Sequence, residues 1–327
     1  MGLTITNLLV IEEAKKVGID HEVISDSHNL LLLKYKGESK LIRRSRIPCT
    51  SIVSGYIADN KGATYEVAEH YGFSYPKYRV VKSLEEAIVA AEEIGYPIVV
   101  KPEEGHRGQG VSINIKKEEE LKDAFERARA FNEDEIIVQK FFPGNDYRIL
   151  VIGYKVFAVA HRIPARVFGD GELTIKELIE KENENPLRKG DHTSPMSEMV
   201  IDPEMERFLE SKGLTVESVP QKEEIVEVLG MGNMSGGGEA VDLTDEVPQE
   251  NKDIIEDIAK AIDSNLTGID IRCEDIVKPF TSDNYAIIEA NSSPGIRMHY
   301  FPSKGKKRNA ALEILKQLFP QAFENEK

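Results

Sequence analysis

Cysteine is scarce in this sequence of 327 residues, which has only Cys49 and Cys273, and their separation is not that of a metal-binding pair. We therefore expect reduced thiols in a cytoplasmic protein. No apolar run is as long as the roughly 18 residues of a membrane span, and no basic segment precedes an apolar one at the start, so we expect neither a membrane anchor nor a signal peptide. Basic residues are fewer than acidic ones, 42 against 57. The resulting net charge of −15 disfavours nonspecific binding to nucleic acid or to a membrane surface.

The motifs of several common enzyme classes are also absent. The chain has no Gly-x-Ser-x-Gly elbow, no His-Glu-x-x-His pair and no kinase His-Arg-Asp loop, and its 7 histidines lack zinc-binding spacing. These absences argue against a serine hydrolase, a zinc protease and a protein kinase. A hydrophobic content of 40% is enough to build cores, and the length indicates two or three subdomains.

The pattern of apolar residues predicts an α+β protein. Helical periodicity and capping signals predict helices at 4–17, 51–70, 82–95, 117–131, 174–182, 202–211, 252–262 and 309–318. Short apolar runs between turn residues predict a small α/β unit at the N-terminus, followed by one mostly antiparallel sheet with helices over 98–161.

Oxygen-bearing side chains interrupt two apolar strands near the C-terminal end. Glu289 and Asn291 are two residues apart and should point to the same face of a strand, and Asp270 lies near the end of the strand at 267–271. Two adjacent strands could thus hold three oxygen ligands on one face, the kind of site that Mg²⁺ prefers. The alternative for each residue is a solvated strand face.

A glycine-rich loop, Gly105–Gly110, lies between two predicted strands and could close on phosphate oxygens through its backbone N–H groups. It matches neither the Walker loop nor the dinucleotide fingerprint, so an ordinary hairpin loop is the alternative. Lys101 ends the strand before this loop and could reach a phosphate, or it could simply extend to solvent. Lys61 and Arg148, each taken alone, are typical of solvated basic residues.

Taken together, these features resemble the ATP-grasp superfamily of carboxylate–amine ligases, and in particular the ATP-grasp domain of the cyanophycin synthetases. A second glycine-rich loop, Asn233–Gly238, which alone could be only a flexible loop, also resembles that of the glutathione synthetases, including the bifunctional bacterial form. The resemblance covers about 50–320. It rests on the segments Glu-Ile-Gly-Tyr-Pro-Ile-Val-Val-Lys-Pro (93–102), Gly-x-x-Gly-x-Gly-Val (105–111), Phe-Pro-Gly-Asn-Asp-Tyr-Arg (142–148), Arg-Ile-Pro-Ala-Arg-Val-x-Gly-Asp-Gly (162–171), Val-Asp-Leu-Thr-Asp-Glu-Val (241–247), Thr-Gly-Ile-Asp (267–270) and Glu-Ala-Asn-Ser-Ser-Pro-Gly-Ile-Arg-Met-His (289–299).

The resemblance implies an ATP-grasp fold of class α+β, with the nucleotide held between two α+β subdomains and a small N-terminal α/β domain. We expect a pre-ATP-grasp domain at 1–75, a lid and central subdomain at 76–161, and a C-terminal subdomain with the metal site at 162–327. The implied activity is ATP-dependent, ADP-forming ligation of an amino acid or short peptide through an acyl phosphate. The alternatives are a glutathione-synthetase-like ligase acting on a γ-glutamyl dipeptide and a nucleotide-binding regulator without turnover. Two Mg²⁺ ions, with Mn²⁺ as a substitute, and a homodimer are expected.

The same resemblance assigns roles to individual residues. The implied catalytic residues are Lys101, Arg148 and Arg297. The implied ATP-binding residues are Lys61, Lys101, Gly105, Gly108, Gly110, Gln139, Lys140, Phe141, Phe142 and Asp146, of which those at 139–142 form the adenine hinge and Asp146 lies near the ribose. The implied metal ligands are Asp270, Glu289 and Asn291, and the implied substrate-binding residues are Asn233, Ser235, Ser293, Gly295 and Arg297.

Two departures from the family pattern bear on the substrate. Cyanophycin synthetases have a further N-terminal domain and a C-terminal half like the Mur ligases, which this sequence does not contain, so we expect that it does not perform their full two-residue cycle alone. Leu229 and Gly230 replace a basic pair expected just before the second glycine loop, which leaves the carboxylate substrate open.

Overall fold

The computed structural model describes residues 2–103, 109–131, 135–189, 196–230, 232 and 234–324. Within them the helices are α1 (Ile5–Lys16), α2 (Ile52–Asp59), α3 (Lys61–Tyr71), α4 (Leu84–Ile94), α5 (Glu118–Arg129), α6 (Ile175–Asn183), α7 (Pro203–Ser211), α8 (Gln249–Ala261), α9 (Arg297–Tyr300) and α10 (Ala310–Leu318). The strands are β1 (Asp20–Ser25), β2 (Leu30–Tyr35), β3 (Glu38–Arg43), β4 (Tyr78–Val81), β5 (Ile98–Pro102), β6 (Ser112–Ile115), β7 (Ile136–Lys140), β8 (Asn145–Ile152), β9 (Lys155–Ile163), β10 (Arg166–Phe168), β11 (Ile225–Glu227), β12 (Glu239–Asp242), β13 (Leu266–Cys273) and β14 (Tyr285–Asn291). None of the helices in this part of the chain is both long and apolar enough to cross a bilayer.

The chain divides into two compact units, each built from separate stretches of sequence. The first unit comprises Met1–Val159, Leu243–Ile296 and Asn309–Lys327, and the second comprises Ala160–Asp242 and Arg297–Arg308. Helices and antiparallel sheets occur in both, which confirms the α+β class. The three domains at 1–75, 76–161 and 162–327 stay a prediction.

The first unit begins with α1 and the antiparallel sheet β1-β2-β3, and α1 packs against α10. Sequence periodicity predicted one helical region at 51–70, but the structure has two helices that meet at Asn60. The backbone of Asn60 is extended, with φ −110° and ψ 119°, and its side chain accepts a hydrogen bond from the backbone N–H of Ala63 at 2.7 Å. This N-cap starts a new helix, α3, with Lys61 as its first residue.

A four-stranded antiparallel sheet, in the order β4-β7-β5-β6, forms the next part of the first unit. Helices α4 and α5 cover it with alanine and larger apolar side chains, and Phe125 and Leu121 are wholly buried between helix and sheet. In the register of β5 with β7, Lys101 lies opposite Ile137 and Val99 opposite Gln139. The sheet therefore brings the lysine strand next to the first residue of the predicted adenine hinge.

A second antiparallel sheet in the same unit contains β8, β13 and β14 side by side. Strand β13 is buried almost throughout and lies between the other two. The prediction of one sheet over 98–161 was wrong, because β5 to β7 and β8 to β9 belong to different sheets. Both sets of strands read as apolar runs, and local periodicity does not say that the partner of β8 is β13, more than a hundred residues later.

The second unit has its own apolar core. Helices α6 and α7 pack with the two-stranded antiparallel sheet β10-β11 around buried residues that include Ile175 and Met205. Thr174 and Glu177 form a reciprocal capping box at the start of α6. The last residues of β9 pair with β12 in this unit, Ala160 opposite Asp242.

Candidate active site

Lys101 is the fourth residue of β5 and is only 4% exposed. Its Nζ donates a hydrogen bond to the hydroxyl of Tyr65 at 3.1 Å. Burial and the nearby charge of Lys61 lower the pKa of Lys101 to about 7, and the opposing charges of Glu289 and Asp270 offset part of this effect. A lysine buried in this way can be neutral or charged near neutral pH, and an anion beside it would favour the charged form.

Lys61 lies beside the end of the same strand. As the first residue of α3 it is buried, and its Nζ donates to the backbone carbonyl of Glu103 at 2.9 Å. The next residue is Gly62, where an added Cβ would lie 2.7 Å from Oε1 of Glu103. The start of α3 therefore packs closely on Glu103, which lies shortly before the first glycine loop.

The three predicted metal ligands converge where β13 meets β14. Asp270 lies opposite Glu289 in the register of the two strands, and Gly268 lies opposite Asn291. Nδ2 of Asn291 donates to Oε1 of Glu289 at 3.3 Å, so these two side chains lie side by side as the strand periodicity predicted.

Arg148 joins this cluster from β8, where it lies opposite Asp270. The guanidinium makes two hydrogen bonds to Asp270, Nε to Oδ1 and Nη2 to Oδ2, the second at 3.0 Å, and its Nη2 lies 3.9 Å from Oε1 of Glu289. Gly268 leaves room for this pair, since a Cβ there would lie 3.1 Å from Cδ of Arg148 and 2.9 Å from Cβ of Pro294. The pair is almost completely buried, and breaking a buried ion pair by removing one partner is strongly destabilising.

These oxygen donors fit a hard divalent cation. The Glu289 side chain is 30% exposed, so its carboxylate remains accessible. The side-chain amide oxygen of Asn291 is a ligand type that Mg²⁺ accepts. Asp270 differs, because Arg148 engages both of its oxygens, and it would ligate a metal only by sharing or giving up that pair. No group of three or more His, Cys, Asp or Glu residues is arranged for a metal within the described chain, as expected for a set of two carboxylates and one amide.

The predicted adenine hinge begins with the last two residues of β7. Gln139 is buried and its Oε1 lies 2.9 Å from the Tyr65 hydroxyl oxygen. The ammonium of Lys140 donates hydrogen bonds to the backbone carbonyls of Gly95 and Tyr96, each at 2.9 Å. This lysine therefore fixes the segment that precedes β5.

The remaining hinge residues are partly buried. The ring of Phe141 lies 5.4 Å from the guanidinium carbon of Arg272, and Phe142 and Asp146 are each of intermediate exposure. The nucleotide-binding roles of the residues in this hinge stay predictions.

Of the first glycine loop, Gly105 and Gly108 lie outside the described residues. Gly110 is described and has φ +70°, a conformation that favours glycine. An added Cβ would lie 2.9 Å from the ring of Phe131 and 3.1 Å from Cγ of Pro102. Close packing alone therefore requires glycine at 110, and a contact with phosphate stays a prediction.

The turn after β14 is held by the N-terminal segment. Ser45 Oγ lies 3.3 Å from Ser293 Oγ and donates to the carbonyl of Pro294 at 2.7 Å. The backbone N–H of Ser292 donates a hydrogen bond to Oδ1 of Asp59 at 2.9 Å. Gly295, which follows Pro294, is exposed, and an added Cβ would meet no atom of the described residues within 4 Å.

Arg297 belongs to the second unit, where it begins α9 and is buried. Its Nη2 donates to Oγ of Ser197 at 3.0 Å and to the carbonyl of Met234 at 3.3 Å. Arg188, also buried, donates to the carbonyls of Ser197 and Gly237 at 3.1 and 2.7 Å. Two guanidinium groups thus hold Ser197 and the second glycine loop.

Within that loop, Ser235 lies in the short 3-10 turn Met234–Gly236, and Asn233 lies outside the described residues. The substrate-binding roles of Ser235, Ser293, Gly295 and Arg297 stay predictions.

Sequence reasoning missed Tyr65 and Ser45, although both contact residues of the predicted site. Tyr65 lies four residues after Lys61, one turn along the same face of a helix, and this spacing could have indicated it. No local pattern marks Ser45.

Comparisons with known proteins identify the relatives of this chain. A family profile described as the ATP-grasp domain matches residues 58–157. Cyanophycin synthetase from Trichormus variabilis is 37% identical over 312 residues, which are 95% of this chain and 34% of that protein. The glutathione biosynthesis bifunctional protein GshAB from Mannheimia succiniciproducens is 32% identical over 97% of this chain and 42% of that protein.

A solved structure shows the same relationship. The crystal structure of a bifunctional glutathione synthetase from Pasteurella multocida matches with a TM-score of 0.72 and 29% identity, covering 98% of this chain and 44% of that one. The chain spans between about a third and less than half of the length of these relatives. The resemblance seen in the sequence motifs is confirmed: the chain contains an ATP-grasp domain and is homologous to the cyanophycin synthetases and the bifunctional glutathione synthetases.

Proposed function

We propose that the protein is an ATP-dependent carboxylate–amine ligase. The observation that supports this most is the convergence, in an ATP-grasp chain, of two buried lysines with Asp270, Glu289 and Asn291 in one compact unit. The relatives named above include a cyanophycin synthetase and a bifunctional glutathione synthetase. Lysines provide positive charge for phosphate oxygens, and the oxygen side chains provide ligands for the cation that accompanies a nucleotide triphosphate.

In the proposed reaction a carboxylate oxygen of the substrate attacks the γ-phosphorus of ATP, and the bond from that phosphorus to the β-phosphate oxygen breaks. The products of this step are an acyl phosphate and ADP. An amine nitrogen then attacks the acyl carbon, inorganic phosphate leaves, and the nitrogen gives up a proton. The result is an amide or peptide bond, and the scheme requires no nucleophilic side chain.

The residues of the first unit contribute placement and charge. Lys101 and Lys61 hold phosphate oxygens, Lys101 as a buried ammonium whose charge the phosphate itself stabilises. Gln139–Phe142 hold the adenine, and Asp146 lies near the ribose. Two Mg²⁺ ions, or Mn²⁺ in their place, held by Glu289, Asn291 and, with Arg148 displaced or shared, Asp270, would offset the charge of the transferred phosphoryl group.

Arg297 and the second glycine loop are proposed to bind the acyl phosphate and the substrate. A guanidinium offers two parallel donors to a planar pair of oxygens, which suits a carboxylate or an acyl phosphate. The substrate is proposed to be an amino acid or a short peptide, as in a cyanophycin-synthetase-like ligase. A γ-glutamyl dipeptide is the second candidate, because the chain also matches bifunctional glutathione synthetases.

A screen of ADP release tests the proposal. Amino acids and dipeptides, γ-glutamyl dipeptides included, are offered in pairs with ATP and Mg²⁺, and the products are identified by mass spectrometry. We expect ADP release that depends on a carboxylate and an amine together, with an amide product of the matching mass. Tight ATP binding without ADP release from any pair would instead support a nucleotide-binding regulator.

We also propose a cytoplasmic homodimer. Helix α2 exposes a contiguous apolar face, with Ile52 92%, Val53 67% and Tyr56 61% exposed. Such a face is unusual for a monomer and suits contact with a second copy. Sedimentation of Ile52→Asp should show a monomer, whereas Val89→Asp, at an exposed apolar residue of α4, should remain dimeric. A wild-type monomer at all concentrations tested would contradict the proposal.

A further inference from the structure

Tyr65 is a wholly buried tyrosine that no predicted role covers. It lies on α3 one turn after Lys61, and its hydroxyl lies close to three polar atoms. These are Nζ of Lys101 at 3.1 Å, Oε1 of Gln139 at 2.9 Å and the backbone carbonyl oxygen of Ile288 at 2.6 Å.

Each of these three contacts belongs to a different part of the proposed site. Lys101 is the phosphate lysine, Gln139 begins the adenine hinge, and Ile288 immediately precedes the metal ligand Glu289. One hydroxyl therefore connects three elements, β5, β7 and β14, that supply the three groups of ligands.

The chemistry of the hydroxyl determines the direction of these bonds. A phenol has one proton to donate and lone pairs that accept, whereas an ammonium only donates. The carbonyl of Ile288 only accepts and is the nearest partner, so it takes the proton, and the lone pairs of the Tyr65 oxygen are left for Lys101. Burial raises the pKa of Tyr65, as do the charge of Glu289 and the neighbouring Tyr78, so the hydroxyl keeps its proton.

We propose that Tyr65 is a positioning residue, whose hydroxyl fixes the position of the Lys101 ammonium relative to the hinge and to the metal-binding strand. This inference rests on the proposed function of Lys101 as a phosphate ligand. A lysine side chain has four rotatable bonds, and ordering it before the nucleotide arrives reduces the entropy lost on binding.

The competing explanation is that Tyr65 only fills space. Its ring packs 4.9 Å from that of Tyr78 and 5.7 Å from that of Tyr75. Tyr65→Phe keeps this packing and removes only the hydroxyl. Tyr75→Phe is the matched control. It removes a hydroxyl from the same aromatic cluster but leaves the hydrogen bond between Lys101 and the Tyr65 hydroxyl in place.

The decisive measurement is the titration of Lys101 in the nucleotide-free protein, followed by NMR of ¹³C-labelled lysine and assigned with Lys101→Arg. The charged groups that act on Lys101 are Lys61 on α3, Glu289 on β14 and Asp270 on β13, and both phenylalanine variants retain them. Tyr65→Phe should move the midpoint about one pH unit lower, because the ammonium loses an acceptor. Tyr75→Phe should leave the midpoint unchanged.

Nucleotide binding gives the second readout. Tyr65→Phe should weaken binding of a nonhydrolysable ATP analogue about tenfold at neutral pH, the scale of one hydrogen bond to a charged group. The pH dependence of the dissociation constant should shift to lower pH, as the midpoint does. A purely structural tyrosine would lower the melting temperature without moving the titration midpoint, and an unchanged midpoint in a folded Tyr65→Phe protein overturns the inference.

Two further outcomes remain decisive. If Tyr65→Phe does not fold, 3-fluorotyrosine placed at 65 keeps the ring and the hydroxyl but weakens the oxygen as an acceptor, and the midpoint should fall by a smaller amount. No fall overturns the inference. Failure of the wild-type protein to bind ATP would overturn the proposed function instead, and the titration in the nucleotide-free protein distinguishes the two failures.

Discussion

Lys101 should take up a proton when ATP binds. Its pKa of about 7 means that roughly half of the free protein has a neutral lysine at pH 7. A triphosphate beside Nζ strongly favours the ammonium, so binding at this pH should be accompanied by uptake of about half a proton. Above pH 7 the free lysine must first be protonated, and the dissociation constant should rise about tenfold per pH unit until the pKa of the bound state is reached.

Isothermal titration calorimetry can measure this uptake. A nonhydrolysable ATP analogue is titrated with Mg²⁺ in excess, at each pH in two buffers with different ionisation enthalpies, since the difference in heat gives the number of protons exchanged. Lys101→Met should bind more weakly at pH 6 and lose the dependence on pH above 7. A flat affinity between about pH 6 and 9, or equal heats in both buffers at pH 7, would refute the reasoning from burial and from the charge of Lys61.

The same lysine should also affect stability, with a definite sign. In the unfolded chain its pKa returns toward the ordinary value of 10.5, so between about pH 7 and 10 the unfolded state binds more protons than the folded state. Lys101 therefore costs most stability below pH 7, and the cost diminishes as the pH rises through this window. Lys101→Met should melt at a higher temperature than the wild type near pH 6, and at nearly the same temperature near pH 10. A lower melting temperature near pH 6 would contradict the sign.

The other predictions concern the oxygen cluster and the second unit. Glu289→Gln should abolish ADP formation in a folded protein, because a cation beside the triphosphate loses an anionic ligand; near-normal turnover at ordinary Mg²⁺ concentrations would exclude the assignment. Gly268→Ala should lower the free energy of unfolding by about 1–3 kcal/mol and also lower the melting temperature, because the added Cβ crowds Pro294 and Arg148. An unchanged denaturation curve would show that the two neighbours can move. Arg297→Lys should keep ATP affinity but lower ligation about 10²-fold, the scale of one oxyanion donor; unchanged turnover would remove Arg297 from the site, and a large loss of ATP affinity would assign it to the nucleotide.

The oxygen cluster could be predicted from the sequence because it depends on local geometry. Glu289 and Asn291 are two residues apart on one strand, and strand periodicity alone puts them on one face. The pair of Arg148 with Asp270 could not be predicted in this way, because it depends on which strands become neighbours. That choice also separates the two sheets that the sequence pattern had merged.

Helix boundaries show the same contrast. Periodicity runs through 51–70 without interruption, yet the side chain of Asn60 caps a new helix there. Because of this break Lys61 and Tyr65 lie in the first two turns of α3, beside β5 and Glu103. A capping asparagine in an apolar pattern is a weak signal, since the same residue is tolerated within helices at a small cost.

The position of β13 between β8 and β14 has a consequence for the protein during its synthesis. Arg148 emerges from the ribosome long before Asp270, because the two residues are 122 positions apart. Until then β8 has an open edge toward its future neighbour and a guanidinium without its carboxylate, features that favour aggregation and chaperone binding. Pairing of the open edge of β8 therefore waits for the strands at 266–291, and a nascent chain arrested before them should need chaperone protection.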